Sequence, residues 1–251
     1  METTGGKDIL RFAYHFDFEN GSTKNFEIFL DESTLDLIST DGAIPPAWTA
    51  LQYYPCENCP LPPTVQFCPV AVNLAKLVGE FQDSISYEQT LVTVECPERR
   101  YVKETTLQKA LSSIIGIYMT TSGCPVMDKL RPMTRFHLPF ANSAETLYRV
   151  VSMYVTAQFL RERAGLKADW SLEKLVESYK AISLVNRGIS KRLADASNKD
   201  ANVNAVVILH SIGDLVPYFI EHGMEELEHL FAMYMDGRCG RFGEPHQGDQ
   251  G

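Results

Sequence analysis

Seven prolines fall between positions 45 and 69: Pro45, Pro46, Pro55, Pro60, Pro62, Pro63 and Pro69. Proline fixes its own φ and has no amide hydrogen, so neither a helix interior nor a central strand can run through this stretch. The chain must therefore build its regular structure on either side and route residues 41–69 as a loop. A loop that long inside a compact domain is either functional or disordered. Trp48, Tyr53, Tyr54 and Phe67 argue for order, so something other than ladder hydrogen bonds must hold it. The same loop carries Cys56, Cys59 and Cys68. Of the six cysteines, four directly precede a proline: Cys59, Cys68, Cys96 and Cys124.

Ahead of the loop, Leu10, Phe12, Tyr14, Phe16 and Phe18 alternate with more polar residues. A period of two predicts a half-buried strand. Asn20-Gly21 predicts a tight hairpin, and Phe26, Ile28 and Leu30 the returning strand. Pro69 suits the first position of a helix, with Cys68 at its N-cap and Val70, Leu74, Leu77, Val78 and Phe81 at helical spacing. A thiolate at that cap would face unpaired amides and the positive end of the helix dipole. Residues 85–95 predict a further strand, Cys96-Pro97-Glu98-Arg99 a turn, and 101–103 a short return.

Thr105-Thr106-Leu107-Gln108 reads as a capping box opening a helix that Gly123 stops. Cys124-Pro125 would start another short helix. Asn142-Ser143-Ala144-Glu145 reads as a second capping box, ahead of a stripe of Leu147, Val150, Val151, Tyr154, Val155 and Phe159. A further helix begins near Ser171. The last covers about 203–235, with a kink or break expected at Pro217. The expected fold class is α+β: a small antiparallel sheet with helices first, then a bundle-like helical half. The expected divisions are 1–124, a proline-containing connection over 125–141, a helical unit over 142–236 and a disordered tail over 237–251.

At 251 residues the chain can bury a sizeable core. Its net charge of −9 argues against nucleic acid, whose binders carry a basic stripe, and against an anionic membrane surface. No uninterrupted apolar run approaches the length of a membrane span, and Met1 to Lys7 lacks a signal core. These features predict a cytoplasmic protein; a protein partner or a homo-oligomer is left open. In a reducing compartment, clustered cysteines point to metal ligands or redox groups more than to disulfides.

Trp48-Thr49-Ala50-Leu51 ahead of Cys56-Glu57-Asn58-Cys59-Pro60-Leu61 forms one recognisable pattern. Gly123-Cys124-Pro125-Val126-Met127, leading into Arg135-Phe136-His137-Leu138-Pro139-Phe140, forms another. Together they resemble an uncharacterised bacterial family, a domain of unknown function, over most of the chain up to about Arg161. The resemblance implies a family and no mechanism.

The chemistry has to come from the residues. Cys56-x-x-Cys59 offers two thiolates from one tight turn, half of a common zinc site. Cys68 would be the third ligand and Cys124 the fourth, with Cys96 as the competing choice. An iron–sulfur cluster is the alternative cofactor, although the ferredoxin spacing is absent. A Cys56/Cys59 dithiol is a further alternative, weakened because Pro60, Pro62 and Pro63 prevent a helix from following it. Against all of these stands burial as small apolar groups, common for free cysteine, with a metal-free interaction module as the outcome. Arg131, Arg135 and His137 could meet an anion, but solvated loop charges fit the spacing better. Glu226-x-x-His229 and the His210/Asp214 pair read as exposed helix faces. No nucleophile elbow, phosphate loop or dinucleotide fingerprint is found.

Overall fold

A computed structural model describes residues 8–38 and 44–235. Four antiparallel strands form one sheet in the order β2-β1-β3-β4: β1 (Ile9–Phe18), β2 (Thr23–Asp31), β3 (Gln89–Cys96) and β4 (Arg99–Thr106). Seven α-helices accompany it: α1 (Pro69–Phe81), α2 (Leu107–Thr120), α3 (Arg131–Arg135), α4 (Ser143–Arg163), α5 (Glu173–Ala196), α6 (Ala201–Glu221) and α7 (Glu225–Glu228). The fold class is α+β, as the periodicities indicate.

The β1–β2 hairpin closes where Gly21 adopts φ +80°, a conformation glycine reaches without steric cost. Alternation then sends Leu10, Phe12, Tyr14 and Phe16 to one buried face beside Ile28, Leu30, Val92 and Val94. Helices α1 and α2 cover that face; Phe81 of α1 meets Phe16 edge-on at 5.3 Å. The core does not stop at the end of this α+β half. Ile182, Val185, Ile189 and Leu193 of α5, with Ala201, Ala205 and Val206 of α6, belong to the same buried cluster. The division of the sequence near residue 124 therefore separates segments of chain and not hydrophobic cores.

Helix starts differ in how they satisfy their first amides. At α4, Asn142 and Glu145 form the reciprocal capping box the sequence predicts, with both bonds at 2.8 Å. At α2 the predicted box does not form. Thr106 ends β4, paired with Gln89, and the strand passes straight into the helix. The amides of Leu107 and Gln108 are taken by the carbonyls of Glu88 and Ser86, so no side-chain cap is needed.

The last predicted helix also ends differently. Helix α6 continues through Pro217, and the chain turns instead at Gly223 (φ +75°) and Met224 (φ +56°), beyond which α7 begins. By length and composition α6 is apolar enough to cross a membrane, although polar residues such as Asn204, His210 and Asp214 interrupt it. In this fold it packs on α5 and α2. The α4 stripe is only partly interior: Leu147 and Val150 are buried, whereas Val155 and Phe159 face outward. A second, smaller core joins Val150 to Leu175, Tyr179 and Val216.

The proline-rich segment is closed at its neck. Ala50 and Phe67 form a β-bridge, Leu51 donates to Gln66, and Cys68 donates to Thr49. Arg192 of α5, 1% exposed, fixes this neck from below. Its Nη1 donates to the carbonyls of Trp48 (2.9 Å) and Ala50 (2.7 Å), and its Nη2 to that of Leu51 (3.0 Å). A loop that cannot build a ladder thus borrows donors from a helix.

Arg192→Met keeps the bulk and removes the donors. Three carbonyls lose their charged partner while one guanidinium is relieved of burial, a net loss expected at about 3 kcal/mol. Urea unfolding followed by circular dichroism measures it. Arg187→Met on the exposed side of the same helix should stay within about 0.5 kcal/mol of wild type.

Candidate metal centre

Beyond the neck, the loop tip lies along α5. Cys59 closes a turn by donating to the Cys56 carbonyl at 3.1 Å, and Asn58 Nδ2 between them donates to the Ala181 carbonyl at 2.9 Å. Cys56 Sγ lies 3.9 Å from the Val185 carbonyl. Gly188 is what allows this approach: a Cβ there would stand 2.7 Å from Cys56 Sγ and 3.3 Å from its Cα. Cys68 is the buried N-cap of α1, as the sequence predicts. Cys124 is buried just past α2, its amide bonded to Ser122 Oγ and its carbonyl to the Asp128 amide. The five described cysteines are free thiols; Cys239 lies outside the described residues.

These segments bring Cys56, Cys59, Cys68 and Cys124 within electrostatic range of one another. Burial pushes the Cys56 thiol up to about 12, and the charges Cys68, Cys59 and Cys124 would carry push the same way, against Arg192. The Cys124 thiol is also raised, mainly by burial. The amides of Met127 and Val126 favour its thiolate, as expected at a helix start, but burial outweighs them. Cys96 sits elsewhere, in the β3–β4 turn, with its Sγ 3.3 Å from the Arg99 carbonyl. Among the described residues, no three His, Cys, Asp or Glu side chains are set in metal-holding geometry. The four thiols share a neighbourhood and not a coordination shell.

The other residues singled out by sequence separate. Arg131 pairs with Asp36 and Asp128, and Arg135 donates to Glu32 at 3.1 Å, so both are engaged by the protein's own carboxylates. His137 does not join them. It is half-buried against β1, with Nε2 2.6 Å from the Tyr14 hydroxyl, which also meets Ser113 Oγ at 2.9 Å. Burial, reinforced by the Arg149 charge, pushes His137 down to about 3. His210 and Asp214 are tied to α5 rather than left on a bare face: Ser183 Oγ donates to Asp214 at 2.8 Å and lies 3.0 Å from His210 Nδ1. Glu226 and His229 fall on either side of the end of α7, and Glu226 is exposed.

Sequence reading missed Gly188 and Arg192. Both sit within the apolar stripe of α5, beside Val185, Ile189 and Leu193. A glycine and a cation four residues apart in such a stripe were the available signal, since neither is placed there by helix propensity or burial.

A profile of a domain of unknown function, DUF6901, matches residues 12–232, and the chain belongs to that family. The match reaches well past Arg161, into the last helices. No curated protein and no solved structure matches the chain.

Two outcomes test this geometry. Alanine for glycine inside a helix ordinarily gains about 0.5–1 kcal/mol. Gly116→Ala, whose Cβ would meet only Leu209 at 3.9 Å, should show that gain. Gly188→Ala should reverse its sign, because the new methyl collides with Cys56; thermal melts of the two variants decide. The second outcome concerns His137. Its folded-state pKa lies below the ordinary 6.5, so the unfolded chain takes up its proton first as pH falls. Its contribution to stability is intact above pH 6.5 and falls toward pH 3, by up to about 1.4 kcal/mol per pH unit. His137→Phe should flatten that part of the stability–pH curve measured by urea titration.

Proposed function

For this member of a domain family of unknown function, we propose that the Cys56–Cys59 turn, Cys68 and Cys124 bind one zinc ion that locks the proline-rich loop to the rest of the fold. One observation carries the reading. Four soft donors from three separate stretches of chain share one neighbourhood, and the charges of the neighbouring cysteines, added to burial, oppose the ionisation of Cys56 and Cys124. A divalent cation reverses that sign: it replaces the protons and turns mutual repulsion into shared attraction. The donor set suits zinc, whose structural sites are closed and often all-cysteine. Ligation requires the Cys56–Cys59 turn to draw in on Cys68 and Cys124, and the metal would supply the loop with cohesion that proline denies it.

The raised Cys56 thiol weighs against the dithiol alternative. A thiol held protonated is a poor nucleophile, and exchange chemistry runs through the thiolate. A structural centre has no need of a free thiolate, because its ligands are deprotonated only as the metal arrives. The proposed role is therefore that of a staple for the loop.

The full-length chain, produced with zinc supplied and purified under reducing conditions, should carry one zinc per chain by elemental analysis. Cys56→Ser and Cys124→Ser should each reduce that occupancy, since serine does not replace a soft ligand, while Cys96→Ser should leave it unchanged. Affinity should rise with pH, because each ligating thiol must give up a proton. A chain free of zinc after such preparation, or full occupancy in Cys56→Ser and Cys124→Ser alike, would remove the metal from this cluster.

A further inference from the structure

A second interior feature lies on another side of α5. A cavity of about 580 Å³ is walled by the end of β4, α2, the segment from Met127 to Ser143, α4, α5 and α6. Its volume is that of a small-molecule site. Three properties of its wall narrow what it would hold.

The first is charge. Lys103, Lys109 and Arg149 line the cavity and no Asp or Glu does, in a chain whose net charge is −9. Arg149 is the half-buried member. Among the described residues only its Nη2 finds acceptors, donating to the carbonyls of Met133 (3.1 Å) and Phe136 (2.9 Å). Among the described residues no carboxylate forms a salt bridge with it. Glu145 acts on it from further off, while its own carboxylate caps α4. Desolvation without a counter-ion pulls the Arg149 pKa below its ordinary value. His137, on the same wall, stays neutral near pH 7 and brings no competing proton.

The second property is apolarity. Ile182 of α5 and Ile208, Leu209 and Ile212 of α6 supply a hydrocarbon surface opposite Met133. The third is a polar group without a partner. Asn186 is 2% exposed and lines the cavity, yet its Oδ1 accepts no hydrogen bond. A buried amide left in that state costs free energy, and native interiors rarely contain one without cause.

We propose that this cavity binds a small amphipathic organic anion: a carboxylate carried on an apolar chain. The carboxylate meets the free Nη1 of the Arg149 guanidinium, which can donate a charge-assisted hydrogen bond to it while Nη2 keeps its two carbonyls. The chain lies along Ile208, Leu209 and Ile212. The amide of Asn186 is satisfied by the polar end of the ligand or by a water carried in with it. The site is separate from the cysteine cluster and does not depend on a metal there.

Calorimetric titration of the full chain with decanoate, decanol and decylammonium tests the assignment. Decanoate should bind at least about tenfold more tightly than decanol, and decylammonium more weakly still, since a charged hydrogen bond is at stake. Arg149→Met should remove the preference for decanoate over decanol. Because Arg149 also holds two backbone carbonyls, a second variant guards against loss of fold: Gly116→Leu directs a side chain toward Leu209, where a Cβ has room, and should abolish binding while unfolding remains cooperative. Equal affinity for decanoate and decanol would overturn the anionic head. Undiminished decanoate binding by Gly116→Leu, or no decanoate binding by the wild-type chain, would overturn the site.

Discussion

A buried guanidinium that no carboxylate answers among the described residues is the contact on which this fold turns. Arg192 is 1% exposed and spends its two Nη groups on three carbonyls of the proline-rich loop. Each of those carbonyls belongs to a segment that proline bars from a sheet. The Ala50 carbonyl also accepts from the Tyr53 amide at 3.1 Å, but without Arg192 those of Trp48 and Leu51 would lose their donor, at a cost of about 1–3 kcal/mol apiece. The arrangement explains why a loop of this length can be ordered. Its neck is one short bridge, Ala50 to Phe67, and that bridge is seated on a cation. The cysteines then arrive together because the neck sets the height of Cys68 and the tip lays Cys56 along α5.

What was legible in the sequence follows from how local the governing interaction is. The β1–β2 hairpin was readable because alternation and Asn20-Gly21 are contained in some twenty residues. The α4 capping box was readable for the same reason. The α2 start misled, because its amides are satisfied by Ser86 and Glu88 across the hairpin, and no local pattern encodes that. The α4 stripe misled in part, since periodicity marks an apolar face without saying what covers it; Phe159 remains half exposed. Pro217 looked like a breaker, but the helix is held there by packing on both neighbours, and the real stop came from two left-handed residues further on.

The candidate site was legible in its members and not in its assembly. Spacing singled out Cys56, Cys59, Cys68 and Cys124, yet nothing near any of them in sequence points to α5. Gly188 lies 132 positions from Cys56, and its only mark was being a glycine where helix propensity disfavours one. Long-range contacts of this kind leave a trace in composition, as a residue that local rules would not choose. They do not name the partner.

Helix α5 carries that trace at five buried positions: Ser178, Ser183, Asn186, Gly188 and Arg192. Each is a departure from an apolar stripe and needs a specific compensation. Ser178 donates to the Lys174 carbonyl and accepts from Lys129; Ser183 bonds Asp214 and meets His210. Gly188 makes way for Cys56, and Arg192 holds the loop neck. Two of the five keep a buried polar atom without a partner: Arg192 at its Nε, and Asn186 at its Oδ1. Of these two, Asn186 is the one at the wall of a cavity that has cations and no carboxylates. Its unmet acceptor faces space that a molecule from outside the chain can enter. The two interior features are therefore of different kinds. The cysteine cluster is enclosed by the protein's own loop and helices, while the cavity presents an amide oxygen and a guanidinium Nη1 that the described residues leave unmatched.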